Sequence, residues 1–168
     1  MKTEIRRQMI IHPKVMDLLN DQISMEMQAS ASYLAMASWC DQRGLNNSTA
    51  FFYAQAAEER DHAMKIFKFI NDNGGAAISP SITNVKHEFE SLRDVFEKSL
   101  DQEVKVTAAI FNIFKNTRAL NDYTSELFMQ WFVTEQAEEE ETIRDILDVF
   151  DLMGDMPLKM IDERLPKK

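Results

Sequence analysis

Glu59 and His62 stand three residues apart in the stretch Ala57-Glu58-Glu59-Arg60-Asp61-His62-Ala63. On a helix, that spacing sets a carboxylate and an imidazole over one patch of surface. The neighbours turn the patch inward. Phe52, Gln55, Glu59, His62, Ile66 and Phe69 recur at threes and fours, so both polar groups sit on an apolar stripe. A carboxylate buried without a partner costs several kcal/mol. It must be neutral, paired, or holding a cation.

Three other segments repeat the pattern. Glu26 shares a stripe with Val15, Leu19, Ile23, Ser30, Tyr33 and Ala37, and Glu103 lies among Phe96, Leu100, Thr107, Ile110 and Phe114. Glu135, Glu138 and Glu139 fall in phase with Phe128, Trp131, Thr142, Ile146 and Val149. A hydrogen-bonded carboxyl, or a misjudged face, would explain any one of these acids alone. Together in a dry core they repel one another unless cations neutralise them. Hard oxygen donors with one imidazole suit iron or manganese, and no thiolate set competes.

The run Glu138-Glu139-Glu140-Glu141 covers every face of a helix, so half of it must be solvated. By phase, Glu138 and Glu139 point inward, and Glu140 and Glu141 outward. Glu58 reaches the group from its edge, whereas Asp61 reads as surface. His12, before Pro13, and His87 also read as surface. Trp131 and the Phe and Met residues read as core filling. Tyr33 lies two turns beyond Glu26 on the same face; its hydroxyl suits a ligand hydrogen bond or the supply of an electron, and equally a core role.

The elements that carry these residues are all helical. Only four Gly and four Pro occur in 168 residues, and the long runs of Ala, Met, Leu, Glu, Gln and Lys favour helix. The expected main helices are 12–43, 47–73, 91–118 and 121–153, after an N-terminal arm over 1–11. Asn47 or Ser48, Ser91, and Asn121 or Asp122 are the expected caps. A short fifth helix over 155–164 follows, capped by Asp155, and is too short to stand alone in water. Residues 74–90 carry no helical period and are long for a loop in a compact domain. A helix over 48–73 is roughly 39 Å long, and the loop reaches roughly 55 Å when extended. It can therefore cross the full bundle and leave the third helix parallel to the second.

The expectation is one domain over 1–168. A net charge of −9 and a pI near 4.8 disfavour nucleic acid and anionic membrane and suit cations. Cys40 is the single cysteine, which fits a reducing compartment. Met9-Ile10-Ile11, halted by His12-Pro13, is too short for the apolar centre of a signal peptide, so the expected location is cytoplasmic.

Across residues 11–165 the chain resembles the bacterial non-haem ferritins. The resemblance rests on Gln22-Ile-Ser-Met-Glu26, Glu58-Glu59-Arg-Asp-His62 and Trp131-Phe-Val-Thr-Glu135-Gln136-Ala-Glu138-Glu139, in that order and spacing. It implies an all-α, ferritin-type four-helix bundle with one long crossover between helices two and three and a short C-terminal helix. It further implies a di-iron centre. Glu26, Glu59 and His62 resemble the first iron site, with Glu59 bridging. Glu103 resembles the second-site ligand, with Gln136 close by and Glu139 available. Glu58, Glu135, Glu138 and Glu139 resemble a third iron site, and Tyr33 matches the tyrosine beside the first. Two iron ions would lie about 3.5–4 Å apart, as in two-metal sites generally.

Two departures from bacterioferritins narrow the reading. Gln136-x-x-Glu139 replaces a second Glu-x-x-His, making the pair of sites unsymmetrical. Arg60 follows Glu59 where bacterioferritins carry the haem-binding methionine, so no haem is expected. The implied activity is oxidation of Fe(II) by dioxygen (or hydrogen peroxide), with ferric oxide stored inside a homo-oligomeric shell of 24 chains. Asp122 and Glu126 fall near the family's three-fold inlet channel. The alternative within the same fold is a di-iron oxidase or peroxidase that builds no cage. A bundle without metal would have no cause to put acids on every inner face.

Overall fold

The computed structural model describes residues 8–167. Five helices follow in order: α1 Pro13–Asp41, α2 Asn46–Asp72, α3 Leu92–Ala119, α4 Tyr123–Met153 and α5 Leu158–Asp162. No strand occurs among the described residues. The four-helix bundle with a long crossover and a short last helix is therefore as the resemblance implied. The main helices begin and end within two residues of the expected positions, but α5 is much shorter than 155–164.

Local chemistry sets several boundaries. Pro13 opens α1, and the imidazole of His12 accepts from the Lys14 amide. His12 is thus a cap and not a bare surface residue. Ser91 caps α3 by accepting from the Asp94 amide. Asp122 caps α4 through the Ser125 amide, and its other oxygen accepts from the His12 amide at 2.9 Å. One buried carboxylate thereby ties the start of α1 to the start of α4. Glu126 is bound to Arg118 at 2.7 Å, so neither residue read as lining an inlet is idle within its own chain.

Two caps differ from expectation. Leu45, which offers no side-chain acceptor, occupies the N-cap of α2. The acceptor comes from α5 instead: Asp162 takes the Asn47 amide at 3.1 Å, the Ser48 amide at 2.9 Å and the Ser48 hydroxyl at 2.6 Å. Asp155 does not cap α5. Pro157 holds that position without a side-chain bond, and the helix is fixed by docking, with Ile161 and Leu165 buried in the bundle.

The short turn at Gly44 makes α1 and α2 antiparallel, and Gly44 adopts the φ of +68° that the reversal needs. After α2, Gly74 takes φ +82° and the Gly75 amide returns to the Ile70 carbonyl at 2.9 Å, closing the helix in a Schellman-like turn. The segment 74–90 is extended and runs along α1. Asn20 bonds both Ala76 and Ile78, Gln28 accepts from the Thr83 amide, and Trp39 meets Phe89 edge to face. Contacts that climb α1 from residue 20 to residue 39 carry the chain to the far end, so α3 starts level with α2 and runs parallel to it. The expected arm over 1–11 is not loose at its described end: Ile11 is buried and the Ile10 amide bonds the Asn73 carbonyl. Residues 1–7 lie outside the described part.

The apolar interior falls into two clusters. One gathers Tyr33, Trp39, Phe51, Phe52, Phe96, Ile146 and Phe150, and the other Val15, Leu19, Ile23, Ile66, Ile110, Met129 and Phe132. Each fully buried large side chain contributes about 1.5–3 kcal/mol. These two cores hold the helices together from either end, and the layer between them is polar.

Candidate metal centre

The middle layer is built from one short stretch of each long helix. Glu26, Glu59, His62, Glu103, Gln136 and Glu139 are all buried there, with Glu103 fully so. In each case a helix with mostly apolar inward positions presents a carboxyl, amide or imidazole at the level where both apolar clusters end.

Glu26, Glu59 and His62 each offer an atom within 4.8 Å of the other two. His62 Nδ1 lies 3.3 Å from Glu59 Oε2, and the Gln22 amide donates to Glu26 Oε1 at 2.8 Å. Glu26 Oε2, Glu59 Oε1 and Gln22 Oε1 have no N–H or hydroxyl donor among the described residues, and the Glu26 and Glu59 carboxyls are close enough to share a proton. Buried polar atoms are almost always bonded. Two carboxyls that face each other beside an imidazole, with no cationic side chain among the described residues of the layer, form a set that could hold a hard divalent cation in place of the shared proton.

Glu103 is held differently. Its Oε1 accepts from the Tyr33 hydroxyl and its Oε2 from the Gln136 amide at 2.6 Å, while Ser99 lies 3.1 Å from the Tyr33 oxygen. Each Glu103 oxygen keeps a second lone pair. Glu139 Oε2 accepts from the Gln55 amide at 2.8 Å.

The electrostatics follow from this crowding. Burial first, and then the Glu59 charge, holds the Glu26 carboxyl well above the usual carboxylate range. Burial and then the Glu103 charge raise Glu59 in the same way. Glu103 is pushed by burial up to about 7, against the opposing pull of the Tyr33 and Gln136 hydrogen bonds. Burial and the Glu103 charge raise the Tyr33 phenol. A metal-free layer of this kind keeps protons that a bound cation would displace.

A second cluster lies on the edge. Glu58, His62 and Glu135 each offer an atom within 4.8 Å of the others, and His62 Nε2 lies 3.9 Å from Glu135 Oε1. The two ring nitrogens of His62 thus face two different clusters. Half-burial raises the Glu135 carboxyl. Trp131 stands at this edge with its ring against His62 and the Lys65 ammonium over its face, 3.6 Å from the centroid.

Of the ten residues singled out from sequence, nine lie in or against this layer. Glu138 does not: it is exposed. The inward positions of α4 are Phe132, Gln136, Glu139 and Ile143, one residue later than the expected stripe at its start. For the same reason Trp131 is 38% exposed and is not core filling. Glu140 is half-buried and bonded to Thr107 and Arg144, and Glu141 is exposed.

Sequence reasoning passed over Gln22, Gln55 and Ser99 as site residues. A signal was there: Gln22 and Ser99 precede Glu26 and Glu103 by four, one turn back on the same face. Gln55 precedes Glu59 by four as well, yet serves Glu139 across the bundle.

Comparison with known proteins bears on the family and the fold. A family model described as Ferritin-like domain matches residues 16–153. The chain is 37% identical over 146 residues to the bacterial non-heme ferritin of Campylobacter jejuni, covering 87% of each. It is 36% identical over 146 residues to a probable bacterial non-heme ferritin-like protein of Haemophilus influenzae, covering 87% of this chain and 88% of that one. Among solved structures, an open pore ferritin from the hyperthermophilic archaeon Archaeoglobus fulgidus superposes with a TM-score of 0.88 at 33% identity, over 92% of this chain and 95% of that one. A humanized archaeal ferritin gives a TM-score of 0.87 at 34% identity, over 91% and 95%. With the bundle, the crossover and the acidic middle layer all in place, the chain belongs to the ferritin-like family.

Proposed function

We propose that this protein stores iron, oxidising Fe(II) to Fe(III) at the buried layer and holding the product as a ferric oxide mineral inside a shell of 24 chains. The observation that carries the reading is the buried Glu26–Glu59–His62 cluster, whose Glu26 Oε2 and Glu59 Oε1 receive no N–H or hydroxyl donor. The curated relatives named as bacterial non-heme ferritins support it.

Fe(II) is the substrate. Glu26, Glu59 and His62 bind the first ion, and Glu59 also reaches toward the second, which Glu103 receives with Gln136 and Glu139 beside it. Two Fe(II) give up two electrons, and dioxygen takes these with two protons to leave as hydrogen peroxide. Peroxide itself is the alternative oxidant. Gln22 orients Glu26, and the Tyr33 and Gln136 hydrogen bonds hold the Glu103 carboxyl in place. Deprotonation of the layer as each cation enters keeps its net charge close to neutral. When only one Fe(II) is bound, Tyr33, next to Glu103, supplies the second electron (and its hydroxyl proton) that reduction of dioxygen to hydrogen peroxide requires. Glu58 and Glu135 hold a third ion at the edge, with His62 Nε2 between them; Glu139 serves it from the interior, and Glu138, being exposed, reaches it only by a change of rotamer. No haem takes part, and the working place is the cytoplasm. No described helix is long and apolar enough to cross a membrane.

The test is the double variant Glu59→Ala, His62→Ala. Fe(II) oxidation in air, followed by ferric absorbance, should fall to the rate of the protein-free buffer. Oxidation at the wild-type rate would overturn the site. Assembly is read separately by size-exclusion chromatography: 24 chains of 19.5 kDa make roughly half a megadalton. A dimer would instead favour a ferritin-like oxidase without a cage.

A further inference from the structure

Away from the metal layer, a cavity of about 570 Å³ lies between α1, the crossover and α3. Its apolar wall comes from Met25, Ala29 and Met36 of α1, Val106 of α3 and Phe89 of the crossover. Lys86 on the crossover and Lys98 and Lys105 on α3 also line it, against a single acid, Asp101. Lys98 is bound to Asp94 at 2.5 Å; Lys86 acts on the same carboxylate from farther off, and neither Lys86 nor Lys105 makes an ion pair within 4.0 Å among the described residues. The crossover is pinned over the cavity by the Thr83 amide, which bonds Gln28 at 3.2 Å.

These features specify a ligand. The volume is in the range of small-molecule sites, roughly 300–1,000 Å³. With Lys98 taken by Asp94, Lys86 on the crossover and Lys105 on α3 leave a local excess of positive charge in a chain of net charge −9. The apolar wall would be wasted on a bare inorganic anion. We infer that this cavity binds a small amphipathic carboxylate, its head between Lys86 and Lys105 and its alkyl body against Met25, Ala29, Met36 and Val106.

The inference does not depend on iron oxidation, so its test uses the metal-free assembled protein. Octanoate, octan-1-ol and inorganic phosphate are titrated separately by isothermal calorimetry. Octanoate should saturate at one molecule per chain with a dissociation constant below about 1 mM, and the other two should bind at least about tenfold more weakly. Lys86→Ala with Lys105→Ala should cost at least about tenfold in octanoate affinity. Both lysines are exposed, so thermal stability and Fe(II) oxidation serve as controls that the variant is intact. Ser24→Trp, which adds an indole to the cavity wall, should abolish octanoate binding. Equal binding of octanoate and octanol would mean a merely greasy cleft, and equal binding of phosphate a merely cationic one. Either result overturns the inference, as does octanoate affinity untouched by the lysine variant or no saturable binding at all.

Discussion

Asp162 tests how far α5 belongs to the fold of its own chain. Its carboxylate is 2% exposed and accepts three hydrogen bonds from the first turn of α2. In Asp162→Ala the Ser48 amide and hydroxyl, at a fully buried residue, lose their acceptor. A buried donor left unsatisfied costs about 1–3 kcal/mol, and loss of a capping side chain by itself typically about 1 kcal/mol. These overlap, because the cap consists of the same bonds, so the expected loss is about 3 kcal/mol. For a chain of this size, that lowers the melting temperature by roughly 6–12 °C. Asp162→Asn keeps one carbonyl oxygen for Ser48 and should lose only about 1 kcal/mol, chiefly the charge at the helix N-terminus. Hydrogen exchange gives the second readout. In the Ala variant the Asn47 and Ser48 amides and those of Ile161 to Leu165 should speed up together, since the Asn47 side chain also donates to the Leu165 carbonyl. A melting temperature of Asp162→Ala within a degree or so of wild type would refute the reasoning. So would faster exchange in α5 with the α2 amides unchanged.

Other outcomes follow from the polar layer. In metal-stripped protein the folded-state pKa of Glu103, about 7, exceeds its unfolded value, so its stabilising contribution is complete below the unfolded pKa and disappears as pH rises through about 7. Glu26 and Glu59 act in the same direction; the melting temperature should fall between pH about 5 and about 8, and Glu103→Gln should flatten that fall. Tyr33→Phe removes a donor from Glu103 and should cost about 1–3 kcal/mol, more at pH about 8 than at about 5, measured by urea unfolding. Zn(II) added to the metal-free protein should raise the melting temperature and release protons, both effects shrinking in Glu26→Gln, as read by calorimetry in two buffers of different ionisation enthalpy.

The sequence by itself determined the helical class, the stripes and the misplaced acids, because helix period and burial preference are local properties of residue order. Ser91 as a cap and the crossover length were legible for the same reason. Single-helix phase failed on α4, where four consecutive glutamates occupy every direction around the axis and spacing has no way to rank them. Its rotation is set by packing against α3, where Gln136 meets Glu103 and so carries Glu138 out and Glu139 in. Only the tertiary structure paired Gln55 with Glu139, 84 residues away, and Asp162 with Ser48, 114 away. Such partners depend on the axial stagger between helices, which is decided by how two separate apolar clusters close around a polar layer and not by any pattern along the chain.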